Sequence, residues 1–291
     1  MTTAPRRTAR RTDAPWGDNQ DFYDSPSMIN HTRPRIEIHE SRCAMGAAAA
    51  RRFHQLVSEI LASKPICRVI FGCAPSQDEF FASLVEEARA NPKIWKQVEV
   101  FHMDEYVGLA DKSDQSFRSY LRKNFLDHVE TARAHLIRGE SPSPVAEADR
   151  YAGLLAQGPI DVIAMGIGEN GHVAFNDPQV ADFSDPISVK VVEMDEVCRQ
   201  QQVNDGCFAD LHLVPRSAIT ITIPVFARAG NLCAVVPGPR KARAVRDALL
   251  GPTGPACPAT ILRTHTHSEL FLDRDAAALF KSSAASERDG H

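Results

Sequence analysis

Apolar residues along the chain alternate between two patterns, short continuous runs and longer stretches at helical spacing. In residues 41–62 the apolar positions Phe53, Leu56, Val57, Ile60 and Leu61 recur every three or four residues, the period of an amphipathic helix. Residues 68–72 follow as a short apolar run that predicts a strand. A helix is expected over 80–90, with Ser76 before it as a cap, and a strand over 98–103. Helices are then expected over 116–125 and 146–156, and a strand over 161–165. Strands over 218–223 and 232–236, a helix over 241–250 and a short strand over 270–272 complete the pattern. Strands without in–out alternation, separated by helices, predict a mostly parallel sheet with helices on both faces, in a single α/β domain. That domain is expected to span residues 36–280, after a tail at 1–35 and before a flexible end at 281–291.

Composition narrows the function classes. The chain has 291 residues, 43% hydrophobic and 24% charged, enough to bury one large core. A formal net charge of −4 argues against nucleic acid as a partner, and no apolar run is long enough to span a membrane. Seven cysteines without regular spacing fit a reducing compartment, so a cytoplasmic location is expected. The first 13 residues carry Arg6, Arg7, Arg10 and Arg11 with almost nothing apolar to bury, and read as a disordered tail or as a transit peptide.

Candidate chemistry concentrates just after the apolar runs, where open α/β sheets place their sites. Residues 166–178 (GIGENGHVAFNDP) put three glycines, His172 and Asp177 directly after the 161–165 run. The glycines Gly166, Gly168 and Gly171 allow a tight turn and close approach of a ligand to the backbone. A carboxylate near His172 would fix its tautomer and raise its basicity. Asp104 and Glu105 end the run at 98–103, either as turn cap and solvated acid or with a general base among them. The loop from Gly72 through Ala74 and Ser76 to Gln77 could hold a phosphate on its amides and hydroxyl, but lacks the lysine of a nucleotide P-loop. Lys241, in Gly-Pro-Arg-Lys after the 232–236 run, adds a positive charge where a helix begins. His265 and His267 would share one strand face, yet two ligands are too few for a metal site. Cys73, Cys198 and Cys207 have no neighbour in the sequence that marks a depressed pKa, and Phe80 and Phe81 read as core.

Taken together these loops resemble the glucosamine-6-phosphate deaminase (isomerase) family, which is related to 6-phosphogluconolactonases. The resemblance runs from about residue 40 to about residue 275, and rests on 101–109 (FHMDEYVGL), 166–178, 214–220 (VPRSAIT) and 238–241 (GPRK). It implies a modified Rossmann-like fold with the site over the carboxyl strand ends. The lactonase relatives carry Asp-Glu-Arg where this chain has Asp104-Glu105-Tyr106, and Thr-Ala-Ser-Leu-Phe-Pro where it has residues 173–178, which favours the deaminase branch.

Carried over by motif, Asp104 matches the base that moves a proton between C1 and C2 of the open-chain sugar. His172 matches the histidine that opens the ring, Asp177 a glutamate that supports it, and Asn170 an aspartate that orients it in some members. Lys241 matches a phosphate-binding lysine. Gly72, Ala74, Ser76, Glu105, Gly168 and Gly171 complete the implied substrate contacts. Two departures stand out. Cys73-Ala74-Pro75-Ser76 replaces a Thr-Gly-Gly-Thr phosphate loop, and Gln202 occupies the register of a phosphate-binding arginine, with Arg199 one turn earlier as its expected substitute. Residues 179–190 show no match to the regulatory site of allosteric members. The activity implied is isomerisation and deamination of an amino-sugar 6-phosphate, without metal or other cofactor. Lactone hydrolysis and a non-catalytic sugar-phosphate sensor are the alternatives, and a homo-oligomer is left open.

Overall fold

The computed structural model describes residues 34–280. The expected end at 281–291 and all but two residues of the expected tail lie outside that range; Arg35 instead opens the first strand. In chain order the elements begin with β1 (Arg35–His39), α1 (Arg42–Leu61), β2 (Cys67–Phe71), α2 (Asp78–Ala90), α3 (Pro92–Trp95), β3 (Val98–His102) and β4 (Asp104–Tyr106). α4 (Phe117–Leu121), β5 (Arg133–His135), α5 (Pro144–Leu155), β6 (Val162–Met165), β7 (Val189–Glu193) and α6 (Glu196–Asn204) follow. The series ends with β8 (Ser217–Ile221), α7 (Ile223–Arg228), β9 (Asn231–Val236), α8 (Ala242–Leu250), α9 (Ile261–Thr264) and β10 (Ser268–Asp273).

Seven strands form a parallel sheet in the order β1-β10-β9-β6-β2-β3-β5. Successive side chains on a strand point to opposite faces, and the core divides accordingly. Val69 and Phe71 of β2 and Cys233 and Val235 of β9 join Phe53 of α1 and Phe80 and Phe81 of α2. Ile70 of β2 and Leu232 and Ala234 of β9 join the other layer, with Tyr151 of α5, Phe226 of α7 and Val245 of α8. Runs such as CRVIF are therefore apolar except at Arg68, because both of their faces are covered. Ser41 caps α1 by accepting from the Ala44 amide at 3.2 Å.

A second sheet, absent from the sequence expectations, is small and antiparallel, in the order β4-β8-β7. It takes the strand expected at 218–223 out of the main sheet. Its role is to carry the chain away from the carboxyl end of β3: Met103 lies between β3 and β4, and its carbonyl accepts from the Ile221 amide at 2.9 Å. Other expectations shift locally. Ser76 does not cap α2; it sits in a 3-10 turn, Pro75–Gln77, and Asp78 and Glu79 supply the negative charge of the first helical turn. The helix expected over 116–125 is α4 followed by a π-helical turn, Arg122–Leu126. His265 and His267 precede β10 and do not share a strand face.

Candidate active site

Chain connections leave the main sheet in opposite directions from β2 and β6, which lie side by side. β2 leads to β3 on one flank, and β6 leads to β9 on the other. A crevice forms at the carboxyl ends of such a pair. Here a cavity opens there, bounded by the loops that follow β2, β3, β6 and β9 and by α6.

The loop after β6 is shaped around one imidazole. A β-carbon on Gly168 would stand 2.2–2.4 Å from three atoms of the His172 ring, so the ring occupies space that only glycine leaves. Gly171, at φ +85°, turns the chain where a β-carbon would stand 2.7 Å from Cys257 Sγ. Ala174, at φ 48°, is the one non-glycine residue with positive φ among the described residues, and it lines the cavity. Two bonds tie the loop to the small sheet. The Phe175 amide donates to Thr220 Oγ1 at 3.1 Å, and Asn176 Nδ2 donates to the Ile221 carbonyl at 2.9 Å.

Nδ1 of His172 lies 2.8 Å from Asn170 Oδ1 and 3.1 Å from Asp177 Oδ1. Both neighbours are acceptors, so Nδ1 carries the proton and Nε2 is left as the basic nitrogen. Asn170 joins the set by donating from Nδ2 to Asp177 Oδ1 at 3.0 Å. Burial works to raise the pKa of Asp177, but the bond and charge of His172, with Asn170 and the Asp195 amide, hold it below the usual value. Asp177 is therefore ionised, and it orients His172.

Asp104 enters from the other side of the crevice, on β4. It is buried and lines the cavity; successive residues on a strand face opposite ways, so Glu105 turns from the cavity. Burial first, and the Glu105 charge second, push the Asp104 carboxyl well above the ordinary carboxylate range. Glu105 accepts from the backbone amides of Tyr106, Phe117 and Arg118, and pairs with Arg118 Nε at 3.3 Å. The substrate contact expected of Glu105 is thereby corrected: its carboxylate is spent on folding the 106–118 segment.

Lys241 is buried and reaches the cavity from the 3-10 turn Pro239–Lys241. Burial lowers its pKa, against the opposing charges of Asp205 and Glu169. Gly72, Ala74 and Ser76 line the same end of the site, and Gln77 Nε2 braces the loop by donating to the Val235 carbonyl at 3.0 Å.

Arg199 does not substitute for an arginine at this end. Its Nη2 donates to the carbonyls of Leu211 and Val214 at 2.6 and 2.9 Å, and it is not among the cavity residues. The Asp195 side chain caps α6 through the Cys198 amide and sets the register that buries Cys198, Gln201 and Gln202. Gln201 and Gln202 line the cavity; Gln201 Oε1 accepts from the Glu169 amide at 2.8 Å and Gln202 Oε1 from the Tyr106 hydroxyl at 2.6 Å. The structure thus brings Asp104, His172, Gly72, Ala74, Ser76, Gly168 and Lys241 to one cavity, with Asn170 and Asp177 behind His172. Gly171 shapes the loop from outside the lining. Missed from the sequence were Gln201 and the closeness of Cys198 to Asp177, whose charge, after burial, helps push the thiol pKa well up. Only the helical register of α6 could have signalled either.

Residues 40–272 match the model of a family described as glucosamine-6-phosphate isomerases/6-phosphogluconolactonase. The chain is 31% identical over 236 residues to a glucosamine-6-phosphate deaminase of Bacillus cytotoxicus, covering 80% of this chain and 86% of that protein. It is 35% identical over 201 residues to one of Exiguobacterium sibiricum, covering 68% and 77%. Among solved structures it resembles a monomeric glucosamine-6-phosphate deaminase, with a TM-score of 0.77, 25% identity and coverage of 84% of this chain and 99% of the other. A 6-phosphogluconolactonase from Thermotoga maritima shares the fold, with a TM-score of 0.66 at 15% identity, covering 83% and 100%.

Proposed function

As the chain belongs to the glucosamine-6-phosphate isomerase/6-phosphogluconolactonase family, we propose that it is the deaminating enzyme, converting glucosamine 6-phosphate and water to fructose 6-phosphate and ammonia. The observation that carries this is the meeting of a buried carboxyl of raised pKa, Asp104, and an oriented imidazole, His172, in one cavity with a buried lysine.

In this reading the cyclic sugar binds with C1 and its ring oxygen toward His172. Nε2 takes the proton of the C1 hydroxyl and delivers it to the ring oxygen, so the ring opens to the aldehyde. The Asp177 carboxylate stabilises the transient imidazolium, and Asn170 holds both side chains in place. Asp104 then removes the C2 proton while the 2-ammonium group of the sugar passes a proton to O1, leaving a neutral enolamine, and the Asp104 carboxyl returns its proton to C1. The product is a ketose iminium ion, to which water adds at C2 before ammonia leaves. A base of raised pKa suits a weakly acidic carbon, because proton affinity rises with pKa as long as the group is ionised at the working pH. The phosphate is assigned to the end lined by Lys241 and Ser76, where Gln202 offers a neutral amide in the register of the arginine.

Two alternatives have less support. The 6-phosphogluconolactonases among the structural neighbours are 15–19% identical, a likeness of fold alone. A sensor would have no use for the His172–Asp177–Asn170 arrangement. Supplying the purified protein with glucosamine 6-phosphate tests the proposal: ammonia and fructose 6-phosphate should appear in equal amounts. Their absence, with hydrolysis of 6-phosphogluconolactone instead, would replace it with the lactonase reading.

A further inference from the structure

Cys198 belongs to none of the motifs that define the site, yet α6 delivers its thiol to the back of the catalytic histidine. One ligand atom each from His172, Asp177 and Cys198 lie within 4.8 Å of one another, and all three residues are buried. Nitrogen, carboxylate oxygen and sulfur form the donor set of a borderline-soft cation, zinc above all, rather than of magnesium or calcium. Ligands on one tetrahedral zinc stand roughly 3.3–3.7 Å apart, given bonds of about 2.0–2.3 Å. The cluster needs a closure of about 1 Å to reach that geometry. His172 Nδ1 and Asp177 Oδ1, at 3.1 Å, are already there.

We propose that His172, Asp177 and Cys198 form an inhibitory site for zinc. The surroundings fit. Asn170 Nδ2 donates to Asp177 Oδ1 and would hold that carboxylate toward the ion. The Asp195 cap fixes the turn of α6 that carries Cys198. Binding displaces the thiol proton and moves the imidazole proton from Nδ1 to Nε2, leaving a thiolate, a neutral imidazole and a carboxylate on the metal. A zinc ion there takes from His172 the hydrogen bonds that set its tautomer, so ring opening stops. The inhibition rests on the role given to His172 above; the metal site itself does not.

Zinc binding and turnover are measured separately on the full chain. Metal-free protein is titrated with zinc against a chromophoric chelator, beside Cys198→Ala and Cys198→Ser, with the far-ultraviolet spectrum and Tm of each variant recorded. Wild type should take up one zinc that both variants bind at least about tenfold more weakly. Cobalt(II), used as a probe on the wild type alone, should show thiolate-to-metal absorption even if the variants fold poorly. Zinc should suppress turnover of glucosamine 6-phosphate in the wild type, reversibly on adding chelator, and much less in the variants. Equal zinc affinity in wild type and folded variants, or cobalt without the thiolate band, overturns the site. Stoichiometric zinc at Cys198 with turnover undiminished overturns the inhibition. A protein that binds zinc as described but never turns over the sugar contradicts the deaminase reading and leaves the metal site supported.

Discussion

Asp104 bears the largest conflict between stability and chemistry of any single residue in the site. Its carboxyl is favoured protonated in the folded chain, because burial and Glu105 raise its pKa above the unfolded value. Between those two pKa values the folded state holds more protons than the unfolded, so this group's contribution to stability is lost as pH rises through the window. Asp104→Asn should therefore abolish nearly all turnover while still binding substrate, and should raise Tm at neutral pH. A gain of about 1 kcal/mol corresponds to roughly 2–4 °C in a domain of this size. Calorimetry and steady-state kinetics on one preparation check both; retained turnover, or a fall in Tm, goes against the assignment. The same shift predicts an acid limb in kcat that lies above the range of a free carboxyl, since the base must be ionised to act. His172→Gln should slow the cyclic sugar far more than a substrate held open at C1, measured by comparing the two rates; equal losses would remove ring opening from its role. These residues were legible in the sequence because each follows an apolar run and the glycines around His172 imply a backbone turn. Glu105 was misread because adjacency hides the alternation of a strand: only three residues of β4 exist to reveal it.

At the scale of elements, α6 separates what the sequence could predict from what it could not. EVCRQQQVN has scarcely any apolar stripe, so no pattern marks which side is buried. Its register emerges only from the Asp195 cap, and it exchanges the expected Arg199 for Gln202. Lys241 is left as the lysine at the phosphate end. Lys241→Ala should raise KM for the phosphorylated sugar roughly ten- to a hundredfold, the effect of losing a charge-assisted bond worth about 1.5–3 kcal/mol. Arg199→Ala should leave that KM within about twofold and instead lower Tm, because Arg199 ties α6 to the 211–214 segment. A KM effect as large in Arg199→Ala would restore it to the phosphate site. The loop after β6 makes a second test. Gly168→Ala would press a methyl group against the His172 ring, 2.2–2.4 Å from three of its atoms, and should cost turnover by displacing the imidazole, while the fold, judged by circular dichroism, survives.

Across the whole molecule, the division into strands and helices was readable because β2, β3, β6 and β9 are mostly buried and mostly apolar. The small sheet was not. β4 is short, and β7 (VKVVE) carries charged residues at two of its five positions. That sheet nonetheless decides the site, since it holds Asp104 on one side of the crevice and anchors the His172 loop on the other. In the proposed reaction the fold thus supplies Asp104 from just beyond the end of β3 and His172 from the loop after β6. Among the described residues no helix is long and apolar enough to cross a membrane. In the proposed reaction this cavity moves a proton from C2 to C1 of glucosamine 6-phosphate and then releases ammonia. The decisive experiment follows that sugar by proton NMR in deuterium oxide. Fructose 6-phosphate and ammonia should appear in equal amounts, with deuterium at C1 of the product to the extent that the Asp104 carboxyl exchanges with solvent, and with none of this in Asp104→Asn. Unchanged glucosamine 6-phosphate in the presence of folded wild-type protein, or product formation that survives Asp104→Asn, would contradict the proposed reaction.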